Sequence, residues 1–167
     1  MTTPIVPLVF PDLIFLEDYQ GNFKDYFNAV YAIFENHFVK KHPLFKGNKV
    51  SAQKFPLVDG VIHRTFYHIT HEGEDEADRQ PDVRRMERIR FPKFCIESCP
   101  HEHLLVWENK RGRDERVLIF NEIEGYLIVL TKRTGYYLFW TAYHLQQNHQ
   151  KRKQIKEYEA YIKAKTA

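Results

Sequence analysis

Six side chains from three segments have the types needed to break an RNA phosphodiester without a metal: His68, the pair Arg84 and Arg88, and Lys132, Thr141 and Tyr143. That reaction needs a group to take the proton of the 2′-hydroxyl and a group to protonate the departing 5′-oxygen. It also needs fixed cations and hydroxyl donors to hold the charge of the phosphorane. Histidine does proton work near neutral pH. The planar fork of arginine matches a phosphate, and a Thr or Tyr hydroxyl can donate to a non-bridging oxygen.

Other constellations are weaker. Cys95, Cys99, His101 and His103 offer four zinc-type ligands within nine residues, but the Cys-x2-Cys knuckle is missing. We read them as a partly buried cysteine pair and two loop histidines, with no metal and no cofactor. Asp114 and Glu115 precede an apolar run and Glu122 and Glu124 follow it, without the Asp…Glu-x-Lys pattern of metal-dependent nucleases. The seven glycines are scattered and none opens a phosphate-cradling loop. Ser51 and Ser98 lack a nucleophile elbow.

The elements that must position these groups follow from periodicity. Tyr126–Thr131 and Tyr136–Tyr143 are β-branched and aromatic runs around the polar turn Lys132-Arg133-Thr134-Gly135, which predicts a hairpin. With His103–Glu108 and Glu115–Phe120 it makes a four-stranded antiparallel meander in sequence order. Phe23, Phe27, Val30, Tyr31, Phe34 and Phe38 recur at helical steps, so a helix spans about 22–41. Residues 45–60, broken by Gly47, Pro56 and Gly60, read as a loop. The alternation of Val61–Thr70 predicts a strand, with His63 and His68 on opposite faces. The acidic run from Glu72 to Asp78 reads as a solvated loop. Pro81-Asp82 opens a helix that turns Val83, Met86 and Ile89 inward and sets Arg84 one turn from Arg88; Pro92 interrupts it. Gln146–Lys165 closes the chain as a basic helix with a stripe of Ile155, Tyr158, Glu159 and Ile162.

The class is therefore α+β, with helices packed on a curved antiparallel sheet of about four to five strands. At 167 residues one domain is expected: an arm over 1–21, a helix and loop over 22–60, and a core over 61–167. The arm is apolar, but three prolines and Asp12 interrupt it and no basic start precedes it, so no secretory signal is expected. No apolar run is long enough to span a bilayer. Two cysteines make no disulfide framework, and a reducing cytoplasm is the simplest location. A net charge of +3 permits nucleic acid as a partner without arguing for it.

Three segments, Phe66-Tyr-His-Ile-Thr70, Pro81-Asp-Val-Arg-Arg-Met-Glu-Arg-Ile-Arg-Phe-Pro92 and Tyr126-Leu-Ile-Val-Leu…Phe139-Trp-Thr-Ala-Tyr143, resemble phage- and prophage-encoded members of the barnase–EndoU–colicin–RelE-like (BECR) ribonucleases. The likeness covers about residues 60–165. It implies a metal-independent endoribonuclease acting as a toxin, with RNA (tRNA included) as substrate and a protein antitoxin as partner. On this resemblance His68 is the general base or acid, Arg88 the phosphate-holding arginine and Thr141 the hydroxyl donor, with Arg84, Lys132 and Tyr143 binding substrate. The acidic run behind His68 departs from that pattern. The alternative is a non-catalytic RNA- or protein-binding module of mobile-element origin. The ribonuclease expectation rests on His68, Arg88 and Thr141 converging.

Overall fold

The meander forms as its alternation requires. In the computed structural model, which describes residues 6–166, β5 (Leu105–Arg111), β6 (Asp114–Asn121), β7 (Tyr126–Arg133) and β8 (Tyr136–His144) pair antiparallel in sequence order. The sheet is nevertheless larger than the expected four to five strands. A hairpin of β1 (Leu44–Phe45) and β2 (Asn48–Ala52) joins its β8 edge, giving a curled sheet of six in the order β1-β2-β8-β7-β6-β5. β2 runs parallel to β8, pairing Val50 with Tyr137 and Ala52 with Phe139. The segment expected as a loop over 45–60 thus holds strands, because Lys46 and Gly47 both take positive φ and close a two-residue turn. Its parallel partner lies more than eighty residues away, beyond any local pattern.

In place of the strand expected over 61–70, which carries His68, Arg64–Thr70 is a helix, α2. Thr65 to Thr70 are all buried, so no face is left to alternate against solvent. The amide N–H groups of Arg64 and Thr65 donate to the carbonyls of Lys54 and Gln53, in place of a capping side chain. Thr65 Oγ1 donates to Phe139 O (2.9 Å), and Thr70 Oγ1 donates back to Phe66 O (2.6 Å). Tertiary burial overrides the β-propensity of the segment.

α1 (Phe23–Phe38) is capped by Asn22 and buries Tyr26, Val30, Phe34 and Phe38. The arginine segment splits into α3 (Val83–Glu87), capped by Asp82, and α4 (Phe91–Ser98), which carries Pro92 in its first turn. Met86 and Ile89 are buried as expected, and Val83 is partly so. From residue 6 the arm packs along this core, with Ile14 N donating to Glu87 O (3.1 Å) and Tyr26 Oη to Ile14 O (2.9 Å). Its first five residues lie outside the described residues.

The sheet has two covered faces. Ile128, Leu130, Phe139 and Ala142 join the larger core with α1, α2 and α4, while Trp107, Leu118, Phe120, Leu127 and Val129 face α5 (Asn148–Thr166). α5 docks through Ile155, Tyr158 and Tyr161, and Trp107 Nε1 donates to Glu157 (2.7 Å). Glu159 and Ile162, expected on that stripe, are exposed. Gly125, at φ +65°, permits the approach of the chain entering α5, since a Cβ there would lie 2.2 Å from Leu145 O. Gly125→Ala should destabilise by well over the roughly 1–2 kcal/mol of left-handed strain alone. Gly112→Ala, at φ +62° with open space around it, should cost only that strain. Urea unfolding of the two variants measures the difference.

Candidate active site

His68 lies one helical turn after Thr65, at the stretch of β8 that β2 leaves unpaired. Register shifts here: Val129 opposes Thr141 and Leu130 opposes Phe139, so Trp140 is the extra residue of a β-bulge. A bulge re-aims the side chain it frees. The Trp140 ring, partly exposed, stands edge-on to the His68 imidazole with centroids 5.5 Å apart.

The acidic run is not simply solvated. β3 (His71–Glu72) and β4 (Gln80–Pro81) pair as a short ribbon that folds the run back over α2. Tyr67 Oη donates to Glu76 O (2.8 Å) and accepts from Arg79 N (3.1 Å), which pins the turn. Glu76 Oε1 then accepts from His68 Nε2 at 2.5 Å and lies 3.5 Å from Arg64 Nη1. The hydrogen bond from His68 is the main reason the Glu76 carboxyl titrates below its ordinary range. Glu76 is therefore ionised at neutral pH. Its side chain is still more than half exposed. His68, Glu76, Arg64, Trp140, Gln53 and Pro56 wall an open cleft of about 470 Å³, a volume in the range of small-molecule sites.

The other residues named from sequence occupy different surroundings. Arg88 donates to Arg84 O (2.9 Å) and pairs with Glu87 (3.5 Å); Arg84 hydrogen-bonds Gln146. Thr141 is buried and, opposite Val129, points to the α5 side of the sheet, whereas α2 packs on the other. Tyr143 shares the α5 side, in a groove with Arg116 and Lys153. Lys132 pairs with Glu108 near the far end of the hairpin, and this contact raises its pKa. Among the described residues no hydrogen bond or ion pair joins His68 to Arg88, Thr141 or Lys132.

The arginine that does reach across is Arg85. Its Nη1 donates to His68 O (3.3 Å) and His71 O (3.0 Å), its Nε pairs with Asp82 (3.3 Å), and its guanidinium lies 5.7 Å from the Tyr143 ring. Sequence reasoning missed the roles of Arg64, Glu76 and Arg85. The one local cue was the position of Arg64, four residues before His68, which brings the two together only on a helix.

The cysteine–histidine cluster does not gather. Cys99 Sγ donates to Cys95 O (3.2 Å), and burial pushes the Cys99 thiol up to about 11 and the Cys95 thiol higher. Both ring nitrogens of His101 are engaged, with Val6 O and His103 N. Among the described residues no three His, Cys, Asp or Glu side chains stand together as metal ligands.

His71, beside the cleft, is held neutral. Burial first, then the charges of Arg79 and Arg85, lower its pKa to about 4. The unfolded chain takes up this proton near pH 6.5 and the folded chain only near 4. Stability should therefore fall as pH drops through that window, by about 3 kcal/mol for this group. The ring packs against Tyr67 and Phe27, so His71→Phe should fit and flatten the decline in urea midpoint between pH 6.5 and 4.

No helix among the described residues is long and apolar enough to cross a membrane. No protein-family model, curated protein or solved structure matches this chain.

Proposed function

We propose that the chain is a metal-independent endoribonuclease of toxin type, with its reaction centre in the cleft of His68, Glu76, Arg64 and Trp140. The observation that carries this reading is the 2.5 Å contact of His68 Nε2 with an ionised Glu76, beside Arg64 and an exposed indole. The resemblance adds the toxin character, cytoplasmic action and a protein antitoxin. Thr141, Arg88 and Lys132 are not in this centre.

Glu76 accepts the proton of the 2′-hydroxyl as the 2′-oxygen attacks phosphorus. His68, in its protonated form, donates to the 5′-oxygen as the phosphorus–oxygen bond breaks. Arg64 faces the charge that develops on the phosphorane, and Trp140 offers a stacking surface to a base. The products are a 2′,3′-cyclic phosphate and a free 5′-hydroxyl. Glu76 leaves the step protonated and His68 deprotonated, and their hydrogen bond returns the proton.

A purified-protein assay tests this reading on an oligoribonucleotide in EDTA. Cleavage should persist, yield a cyclic phosphate, and vanish next to a single 2′-deoxy substitution. A reaction abolished by EDTA, or indifferent to the 2′-hydroxyl, overturns it. The non-catalytic binding module is favoured by one feature, that Glu76 occupies both His68 and Arg64 and would repel a polyanion. RNA bound but never cleaved is the result that supports it.

A further inference from the structure

Beyond Tyr143, β8 ends in a second group of cations. His144 is partly buried, and its Nδ1 has no hydrogen-bond partner among the described residues; the same is true of the buried Nε of Arg88. The Arg88 Nε–H is thus a donor without an acceptor, and a buried polar atom left unpaired costs its desolvation. Burial, Arg88, Arg84 and Lys151 together lower the pKa of His144 to about 4. The carboxylates that flank α3 are already engaged. Asp82 holds Arg85 and the first N–H groups of α3, and Glu87 holds Arg88. Arg84 is exposed and its hydrogen bond goes to a neutral amide, Gln146. Lys151 makes no ion pair among the described residues, and its stem passes over Gly125.

We propose that Arg84, Arg88, His144 and Lys151 form a second phosphate station, which holds a backbone phosphodiester of the RNA strand whose scissile phosphate lies in the His68 cleft. The choice of RNA rests on the ribonuclease reading. The surface beside the cleft suits a single strand better than an acidic peptide, because Trp140, more than a third exposed at the β8 bulge, leaves a face for an unpaired base. Aromatic platforms combined with backbone-tracking cations are how single strands are held. From Trp140 to His144 a strand advances about 13 Å. A stacked nucleic acid strand advances about 3.4 Å per nucleotide, so the stations stand roughly four nucleotides apart. A dinucleotide in the cleft cannot reach the second one.

The test measures binding by fluorescence anisotropy, using a 2′-O-methyl RNA of eight nucleotides that cannot be cleaved and a dinucleotide of the same chemistry. Arg84→Gln combined with Lys151→Gln should weaken the octamer at least tenfold more than the dinucleotide. It should also reduce the slope of log affinity against log salt by about 0.7 for each cation removed. Arg84→Lys with Lys151→Arg should restore the slope, which a misfolded or merely loosened variant would not. Equal losses on the two lengths, an unchanged slope, or displacement of the octamer by an octaglutamate peptide at equal concentration overturns the station. Loss of the octamer slope in a protein that never cleaves RNA would leave the station standing and remove the catalytic reading alone.

Discussion

His68→Ala should lower the rate of RNA cleavage by about 10²–10⁴-fold, the range for removing a positioned acid or base. Its effect should fall on turnover far more than on RNA affinity, because Arg64 and Trp140 remain to hold the strand. Glu76→Gln should be comparably damaging. It keeps the shape and a hydrogen bond to His68 but removes the ability to take a proton, together with the charge that faces Arg64. Thr141→Val separates the cleft from the constellation that the resemblance implies. Thr141 points toward α5, so its loss should change the rate by no more than a few-fold. In cells, induced wild-type protein should arrest growth and degrade RNA on a gel, and His68→Ala should do neither. If Thr141→Val abolished cleavage while His68→Ala did not, the centre would lie on the terminal strand and the cleft would be only a binding surface.

Phe66→Ala should cost about 3–5 kcal/mol of stability, the largest loss expected from any single truncation near the site. The ring is fully buried and meets Tyr31 (4.7 Å), Phe34 (5.3 Å) and Phe27 (5.5 Å) on α1. It is the peg that fixes α2, and through α2 the histidine. Phe23 heads the same apolar periodicity but is 39% exposed, so Phe23→Ala should cost less than about 1 kcal/mol. Urea denaturation of both variants checks the contrast. A Phe66→Ala protein as stable as wild type would mean that α2 is held by its backbone bonds to residues 53 and 54 alone.

How much of the fold was legible depended on where each element's partners lie. The four strands from residue 105 to 144 and the helix over 23–38 follow from alternation and from a 3.6-residue period, since each buries one face. The signal failed where burial is complete. Arg64–Thr70 is enclosed, so β-branched and aromatic residues sat in a helix without the amphipathic period that reveals one. It failed again at β2, whose partner is distant in sequence. The site suffered from both. The chemistry of His68 is legible in its residue type, but its neighbours Glu76 and Trp140 are decided by a folded-back ribbon and a bulge, neither of which has a local pattern.

The final hairpin shows the same division. Residue order alone determined that Tyr126–Arg133 and Tyr136–His144 pair around Thr134-Gly135, because two alternating runs with one turn between them have few other ways to bury their apolar faces. Which polar groups would meet was a tertiary matter. A one-residue bulge at Trp140 and the arrival of α2, α3 and α5 on different sides of β8 sent Thr141 and Tyr143 toward α5. Lys132 went to Glu108, and His144, opposite Tyr126, went to the face away from α5. Side chains one step apart on a strand face opposite ways, so types and spacing named the chemistry, and packing chose the partners.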